Sequence, residues 1–234
     1  RLHRPGTPRT MPRKPPRRTR ERILERALQL FNELGEPNVT ATALGDDLRI
    51  SPGNLYYHFP NKEAIVTALF ADFEAGIGRL LDESAKAEVR LEDAGPFLRL
   101  LFESIWRHRF VYRDINDLLS RHRALETGLQ AIVARKAEAA SLLCKALADS
   151  GELTAGADEL PMLTTNMVVV ATGWLPFEYI ANARRFGEPA FQAESAERGV
   201  RQVLALLRPW LDEAGRRRLD DSAARRLADS SARH

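Results

Sequence analysis

Residues 39–62, VTATALGDDLRISPGNLYYHFPNK, decide how this 234-residue chain is interpreted. They read as two short helices joined by a tight turn, with Thr40 or Thr42 suited to cap the first. Ser51 is suited to cap the second, and Pro52 is favoured in its first turn because the missing N–H would be unpaired there. This arrangement predicts a helix-turn-helix, a motif that places its second helix against DNA.

The second of these helices predicts an anchored face and an outward face. On a helical wheel Leu55 and Phe59 share one side, where we expect them to hold the helix to its own domain. The outward positions are Gly53, Asn54, Tyr56 and Tyr57. An asparagine amide can bond a base edge, with adenine as its usual match, while tyrosine hydroxyls can bond phosphates. The alternative is an ordinary helical hairpin whose tyrosines pack on the rest of the protein.

Charge is distributed unevenly along the chain. The first 20 residues hold eight Arg or Lys, five Pro and no acid, so they carry +8, and because the whole chain carries +3 the remainder carries −5. Residues 21–62 hold four basic and six acidic side chains, which gives −2. Residues 1–18 are therefore predicted to be a disordered basic arm. The arm either contacts phosphates or a minor groove or is a solvated tail, including one upstream of a natural start at Met11.

Helical periodicity runs through the chain without sustained strand-like alternation, so the fold is predicted to be all-α. The helix-turn-helix domain is expected at residues 19–66, with a fourth helix linking it to about residue 83. In the first helix, at 19–34, the predicted inward residues are Ile23, Ala27, Leu30, Phe31 and Leu34. A looser stretch is expected at 84–95, and longer amphipathic segments are expected at about 96–110, 118–150, 159–184 and 189–214. A polar tail, either a frayed helix or disordered, is expected at 215–234.

The string from residue 39 onward, including LYYHFPNKE at 55–63, resembles the TetR family of bacterial transcriptional regulators. The amphipathic helix before it and the all-α remainder match that family in order and length. Residues 110–122, FVYRDINDLLSRH, and the apolar helix at 162–179 resemble a subgroup of uncharacterised repressors. The resemblance implies a ligand-responsive repressor that binds a double-stranded DNA operator as a homodimer.

The resemblance also implies individual roles in DNA contact. Thr40 and Thr42 would touch phosphates. The residues that would face base edges are Pro52, Gly53 and Asn54. The residues that would contact the DNA backbone are Ser51, Tyr56, Tyr57, His58 and Lys62. Either tyrosine could also reach bases. Two positions depart from the family pattern, because the turn carries Arg49 where glycine is usual and the second helix carries Gly45 where alanine is usual.

Residues 84–214 are expected to form the dimer and an effector pocket. The dimer is expected from segments 164–183 and 191–211, packed as a four-helix bundle across a two-fold axis. The helical spacing of the aromatic residues favours their burial in an ordinary hydrophobic core. The more specific hypothesis is an apolar cavity that binds a hydrophobic or aromatic effector. Its predicted lining is Phe102, Trp106, Tyr112, Met167, Val170 and Trp174. The residues expected to orient a polar end are Arg121, His122 and Asn166.

Other classes of protein find little support in the sequence. The nucleotide-binding and hydrolase motifs GxGxxG, GxSxG, GxxxxGK[ST] and HExxH are absent, so we expect no enzyme, and we expect no metal or cofactor. The most apolar run, residues 162–177, falls short of the roughly 20 residues that a membrane span needs. The single cysteine, Cys144, fits a buried thiol in a reducing bacterial cytoplasm. A helical protein–protein adaptor that does not bind DNA is the main alternative.

Overall fold

A computed structural model of the chain describes residues 16–86 and 90–231. These residues form helices joined by turns, with an isolated antiparallel bridge between Leu153 and Leu211, which confirms the all-α prediction. The α-helices in chain order are α1 (Pro16–Leu34), α2 (Ala41–Leu48), α3 (Pro52–His58), α4 (Lys62–Lys86), α5 (Leu91–Arg107), α6 (Phe110–Arg113), α7 (Ile115–Arg121), α8 (Arg123–Asp149), α9 (Glu159–Ala181), α10 (Phe191–Ala205) and α11 (Glu213–Ser231). Short 3₁₀ helices lie at Glu36–Asn38 and Arg208–Trp210.

Helices α1, α2 and α3 form a small N-terminal core against the start of α4. Its buried side chains come from all of these helices and the joints between them: Ile23, Ala27, Phe31, Val39, Leu44, Leu55, Phe59 and Ile65. Gly35 ends α1 with φ of +92°, a value that an L side chain rarely adopts. The predicted inward position of Leu34 is wrong, because this last residue of α1 is 56% exposed and Asn32 is buried instead.

Two predicted boundaries are corrected at the ends of α1 and α5. Residues 16–18, assigned to the arm, begin α1, and residues 1–15 of the arm lie outside the described residues. The looser stretch predicted at 84–95 is mostly helical, since α4 runs to Lys86 and α5 begins at Leu91. The burial of Leu91 and Ala94 explains the early start of α5, which continues through Pro96. The tail, for which a frayed helix was one of the two expectations, is largely the helix α11.

The remaining helices build a second, larger core on the far part of α4. Helix α8 packs against α4 and α9, α5 packs against α4, α10 and α11, and α9 also contacts α10. Cys144 on α8 is buried, as predicted, and burial raises the pKa of its thiol to about 11. Helix α4 therefore belongs to both cores and connects them without a break.

Helix α9 has one apolar face that nothing in the described chain covers. Among the described residues it is the helix whose length and composition would allow a membrane crossing, but it packs as a core helix against α5, α6, α8 and α10. The sequence predicted burial on several sides, which these contacts confirm, and one further side stays open. The large exposed side chains on the open side are Met162, Val169, Phe177 and Ile180, and Ile180 is 82% exposed.

Candidate DNA-binding surface and ligand cavity

Helix α3 presents one side to the core and the other side outward, as the helical wheel predicted. Leu55 is 2% exposed and Phe59, which follows the helix, is 3% exposed. Tyr57, in contrast, is 77% exposed, and Tyr56 is 49% exposed. Pro52, Gly53 and Asn54 are exposed as well, whereas His58 is half-buried with its ring against that of Tyr57. The outward side of α3 is thus a continuous polar and aromatic surface.

The hydroxyl groups of Thr40 and Ser51 cap the helices that follow them. The Thr40 Oγ1 accepts a hydrogen bond from the Ala43 N–H at 3.1 Å, and the Ser51 Oγ accepts one from the Asn54 N–H at 3.2 Å. Because a hydroxyl that accepts can still donate its own hydrogen, both side chains remain able to bond a phosphate oxygen. Thr42 lies exposed in the first turn of α2.

The turn between α2 and α3 requires a left-handed residue, and the chain uses Arg49 for it, with φ of +54°. A side chain costs roughly 1–2 kcal/mol in this conformation. The N–H of Ile50 bonds the carbonyl of Gly45 at 3.0 Å and closes the turn. An added Cβ at Gly45 would meet the Ile50 carbonyl at an ordinary 3.6 Å, whereas one at Gly53 would meet nothing within 4 Å.

Lys62 holds a buried carboxylate instead of projecting into solvent. Its Nζ lies 2.9 Å from the Oε1 of Glu36, whose side chain is fully buried, and it donates to the Glu36 carbonyl at 3.0 Å. The Oε2 of the same carboxylate accepts from Arg121 at 2.5 Å. Lys62 therefore helps to fix the 3₁₀ helix after α1, and its predicted phosphate contact stays a prediction.

Two arginines of α1 contact α2 and the residue that follows α3. Arg26 on α1 forms a two-point pair with Asp47 on α2, at 2.6 Å and 2.9 Å. The guanidinium of Arg20 lies over the ring of Phe59 at 5.0 Å. Because Phe59 directly follows α3, the N-terminal end of α1 lies beside the C-terminal end of α3.

A polar seam joins the N-terminal core to the larger one. The Asn32 side chain donates to the Arg107 carbonyl at 2.9 Å and accepts from the Phe110 N–H at 3.0 Å. Arg113 donates to the carbonyls of Phe31 and Asn32, at 2.9 Å and 3.2 Å. These hydrogen bonds tie the C-terminal end of α1 to α5 and α6.

An apolar cavity of about 310 Å³ lies between α4, α5, α8 and α9. Its wall includes Leu81 on α4, Phe97 and Leu101 on α5, Leu143 on α8, and Ala171 on α9. The cavity is open on one side, where exposed lining residues surround its mouth. Those residues are Glu83, Arg90, Asp93, Leu100 and Leu142.

The cavity differs from the predicted pocket, because Met167 is the one predicted residue on its wall. The Trp174 Nε1 donates to the Ser195 carbonyl at 2.9 Å and its ring packs over α10 beside Phe102. Trp106 stacks on Phe186, with ring centroids 4.7 Å apart. Tyr112 is buried and Val170 is half-buried, and neither lines the cavity. These side chains form core between helices instead of a lining.

The residues expected to orient a polar ligand group also lie elsewhere. Arg121 pairs with Glu36 and Asp117, and Asn166 is exposed on the outer side of α9. His122 caps α8 and is half-buried. The cavity instead contains Lys136, which the sequence analysis did not single out. A signal existed, since Lys136 falls on the apolar face of α8 with Ile132, Ala140 and Leu143.

Lys136 is a buried lysine on the cavity wall, 4% exposed. Its ammonium donates to the Tyr112 hydroxyl at 3.1 Å and to the Thr172 hydroxyl at 3.3 Å. Burial lowers the pKa of Lys136 to about 7, and burial raises the pKa of the Tyr112 hydroxyl, which therefore stays protonated. Both groups are thus polar points in an otherwise apolar environment.

The fold and these two sites define a helix-turn-helix transcriptional regulator with a separate all-helical domain. A family model for bacterial regulatory proteins of the tetR family matches residues 23–69. A second model, TetR, described as a bacterial transcriptional repressor, matches residues 72–219. The chain belongs to the TetR family and is a DNA-binding regulator of transcription.

Solved structures support this assignment. A TetR-family transcriptional regulator from Marinobacter aquaeolei VT8 is 32% identical, with a TM-score of 0.78 over 89% of this chain and 98% of that one. The ketosteroid transcriptional regulator KstR2 of Mycobacterium tuberculosis is 18% identical, with a TM-score of 0.63 over 83% and 96%. A putative transcriptional regulator from Saccharomonospora viridis, solved with choline, is 16% identical, with a TM-score of 0.63 over 84% and 100%. The last two show the shared fold alone. No curated protein matches the chain.

Proposed function

We propose that the protein is a ligand-responsive repressor that binds a palindromic DNA operator as a homodimer in the bacterial cytoplasm. The observation that carries the proposal is the outward side of α3, where Asn54, Tyr56 and Tyr57 are exposed while Leu55 is buried. Large exposed aromatic side chains on a surface helix are costly unless they contact a partner. A major groove accepts a helix of this kind.

Each group of the surface has a proposed contact. Asn54 reads a base edge, and Gly53 and Pro52 let the backbone approach the bases closely. The groups proposed to bond phosphates and sugars are Thr40, Thr42, Ser51, Tyr56, Tyr57 and His58. We give Lys62 a smaller part, because its ammonium already pairs with Glu36. The basic arm, whose residues 1–15 lie outside the described residues, is proposed to add positive charge to the domain and so to raise affinity for any duplex.

A second copy of this chain is the proposed cover for the open face of α9. Met162, Val169, Phe177 and Ile180 are exposed on that face, and helix α10 packs beside it. One helix-turn-helix contacts few base pairs, whereas a two-fold dimer places two of them about one turn of DNA apart, at roughly 34 Å. A dimer formed through the open face of α9 is therefore our proposal for how two α3 helices are brought to one operator.

The ligand acts on the repressor by changing the orientation of α4. Leu80, Leu81 and Ser84 near its C-terminal end line the cavity, whereas Ile65 near its N-terminal end is buried in the DNA-binding core. A ligand that spreads the cavity favours one orientation of α4 and so one spacing of the two α3 helices. If that spacing does not fit the operator, DNA is released by population shift.

Operator selection with the purified chain, followed by mobility shift, tests the DNA-binding proposal. Asn54→Ala should reduce discrimination between the selected operator and altered ones by about 10- to 100-fold, because one base-reading contact is worth about 1–3 kcal/mol. Gln130→Ala, which removes an exposed amide from α8, is the matched control and should change nothing. Unchanged specificity in Asn54→Ala would remove Asn54 from base reading.

A substitution at Gly53 separates folding from DNA contact. Gly53→Ala should raise the melting temperature slightly, because open space surrounds that position and alanine favours helix by up to about 1 kcal/mol. Operator affinity should nevertheless fall, since the methyl group would lie between α3 and the bases. A stable variant with full affinity contradicts close approach at Gly53. Binding that shows neither salt dependence nor sequence preference would favour the adaptor instead.

Sedimentation equilibrium tests the dimer. Ile180→Glu should shift the protein towards monomer and weaken operator binding, because it puts a carboxylate into the proposed apolar contact. Leu34→Glu changes an apolar residue that is exposed on the N-terminal domain, and it should leave the dimer intact. A dimer that survives Ile180→Glu would show that another face of the protein forms it.

A further inference from the structure

The ammonium of Lys136 has a donor to spare inside the cavity. A lysine ammonium carries three hydrogens, and two of them are used by the hydroxyls of Tyr112 and Thr172. Both acceptors are neutral. Within the part of the chain that the structure describes, no carboxylate lies within 4 Å of this ammonium, and its altered pKa has burial as its cause without a neighbouring charge.

A buried lysine without a counter-charge destabilises the folded protein, which makes it unfavourable at a purely structural position. A charged group that leaves water without a counter-charge loses several kcal/mol of solvation. Hydrophobic side chains of similar size, such as methionine, would fill the same space between α8 and α9 at lower cost. Titratable groups kept in such an environment concentrate at functional sites. The cavity wall around Lys136 is otherwise apolar, so the lysine is a specific feature of this cavity.

The shape of the cavity indicates what kind of ligand could pair with Lys136. Lys136, Ala139, Ala140 and Leu143 line one side of α8 in succession, and seven residues of helix span about 10 Å. The wall opposite is formed by apolar side chains of α4 and α5. The volume of about 310 Å³ lies at the low end of small-molecule sites, about 300–1,000 Å³. The cavity therefore suits a small molecule with one polar end and an extended apolar body.

We propose that the cavity binds a small monocarboxylate with an apolar body, whose carboxylate accepts a hydrogen bond from the Lys136 ammonium. The apolar body lies along α8 towards Leu143 and Leu142 at the mouth. The carboxylate supplies the counter-charge that Lys136 lacks, and the Tyr112 hydroxyl supports the ammonium from behind. Binding itself follows from the cavity, whereas its regulatory consequence rests on the function proposed above.

Three probes with the same tail and different head groups test the proposal: decanoate, decanol and decyltrimethylammonium. Titration calorimetry on the full chain should show decanoate binding at least about tenfold more tightly than decanol, because a charge-assisted hydrogen bond is worth that much or more. Decyltrimethylammonium should bind most weakly, since its charge repels Lys136. Octanoate should bind about tenfold more weakly than decanoate, because two buried CH₂ groups are lost.

Substitution of the lysine provides the decisive comparison. Lys136→Met keeps the length and apolar body of the side chain, so it should abolish the preference for decanoate over decanol while decanol still binds. Lys145→Met changes an exposed lysine on the same helix and should keep the wild-type preference. A structural loss would weaken both probes alike, which makes the ratio between them the informative quantity. Equal binding of the two probes to the wild type, or an unchanged ratio in Lys136→Met, overturns the proposal.

Addition of decanoate to the protein–operator complex separates the two proposals. We expect release of DNA from the wild type and no release from Lys136→Met. Decanoate that binds through Lys136 and leaves the complex intact would refute ligand-responsive repression and leave the carboxylate site standing. Failure of decanoate to bind in the absence of DNA would refute the carboxylate site, whatever the protein does on its operator.

Discussion

Replacement of the buried Lys136 by methionine should stabilise the protein, and the gain should depend on pH. In the folded state burial lowers the pKa of Lys136 from 10.5 to about 7. At about 1.4 kcal/mol for each factor of ten in proton affinity, the charged lysine costs the folded state roughly 5 kcal/mol. Lys136→Met removes this cost, although it leaves the Tyr112 hydroxyl without one partner, at about 1–3 kcal/mol.

The sign of the pH dependence follows from proton binding. Below the folded pKa of about 7 Lys136 is protonated in both states, so the wild type bears the full cost. As pH rises towards 10.5 the folded protein releases this proton while the unfolded chain keeps it, and the free energy of unfolding of the wild type increases. The advantage of Lys136→Met should therefore shrink by roughly 2–3 kcal/mol per subunit between about pH 6 and about pH 9.

Urea unfolding followed by far-ultraviolet circular dichroism measures this difference, at one protein concentration because the proposed dimer makes stability concentration-dependent. The lost bond to Tyr112 cancels between the two pH values, since burial keeps that hydroxyl protonated. Lys145→Met, on the exposed side of α8, should show no such change. A stability difference between Lys136→Met and wild type that stays constant across this range would refute a deprotonated Lys136 in the folded protein.

Four further substitutions have outcomes that follow from local geometry. Gly128→Ala should lower the free energy of unfolding by roughly 1–3 kcal/mol, because its Cβ would lie 2.5 Å from the Phe70 ring. Gly76→Ala on α4 meets open space, so it should raise the free energy of unfolding by up to about 1 kcal/mol. Equal effects of the two substitutions in urea unfolding would contradict the clash. Arg49→Gly should raise the melting temperature, worth about 1 kcal/mol, by relieving the left-handed turn, and an unchanged melting temperature would mean that the turn holds no strain. Arg121→Ala should cost about 1–3 kcal/mol because it removes one of two cations from a buried carboxylate; unchanged urea unfolding would show that Lys62 alone suffices.

The sequence predicted the DNA-binding domain well because its signals are local. Ser51 and Pro52 mark a helix start within two residues, and Gly35 marks a helix end. The burial of Leu55 follows from its place on a helix of known geometry, and the structure confirms it. Arg49, which the family comparison singled out as standing where glycine is usual, adopts the left-handed conformation. Such features need no knowledge of distant residues.

The cavity could not be predicted in the same way, because long-range packing decides which aromatic residues line it. Trp174 was expected to face a ligand, but its indole N–H reaches the Ser195 carbonyl on α10, 21 residues away. The rule that charged side chains face water hid Lys136, although this lysine lies on the apolar face of its helix. Lys62 is the opposite case. This lysine lies near a DNA-binding helix, yet its ammonium pairs with the buried carboxylate of Glu36 in its own domain.

The buried carboxylate of Glu36 sets a condition on chimeric regulators. It lies in the N-terminal domain, and one of its two cations, Arg121, lies at the end of α7 in the other domain. A chimera joined after residue 66 would keep Glu36 and Lys62 and lose Arg121, which would leave the carboxylate with one cation. Transplantation of this DNA specificity should therefore require a recipient domain that supplies an arginine at the position of Arg121, together with partners for the Asn32 hydrogen bonds of the polar seam.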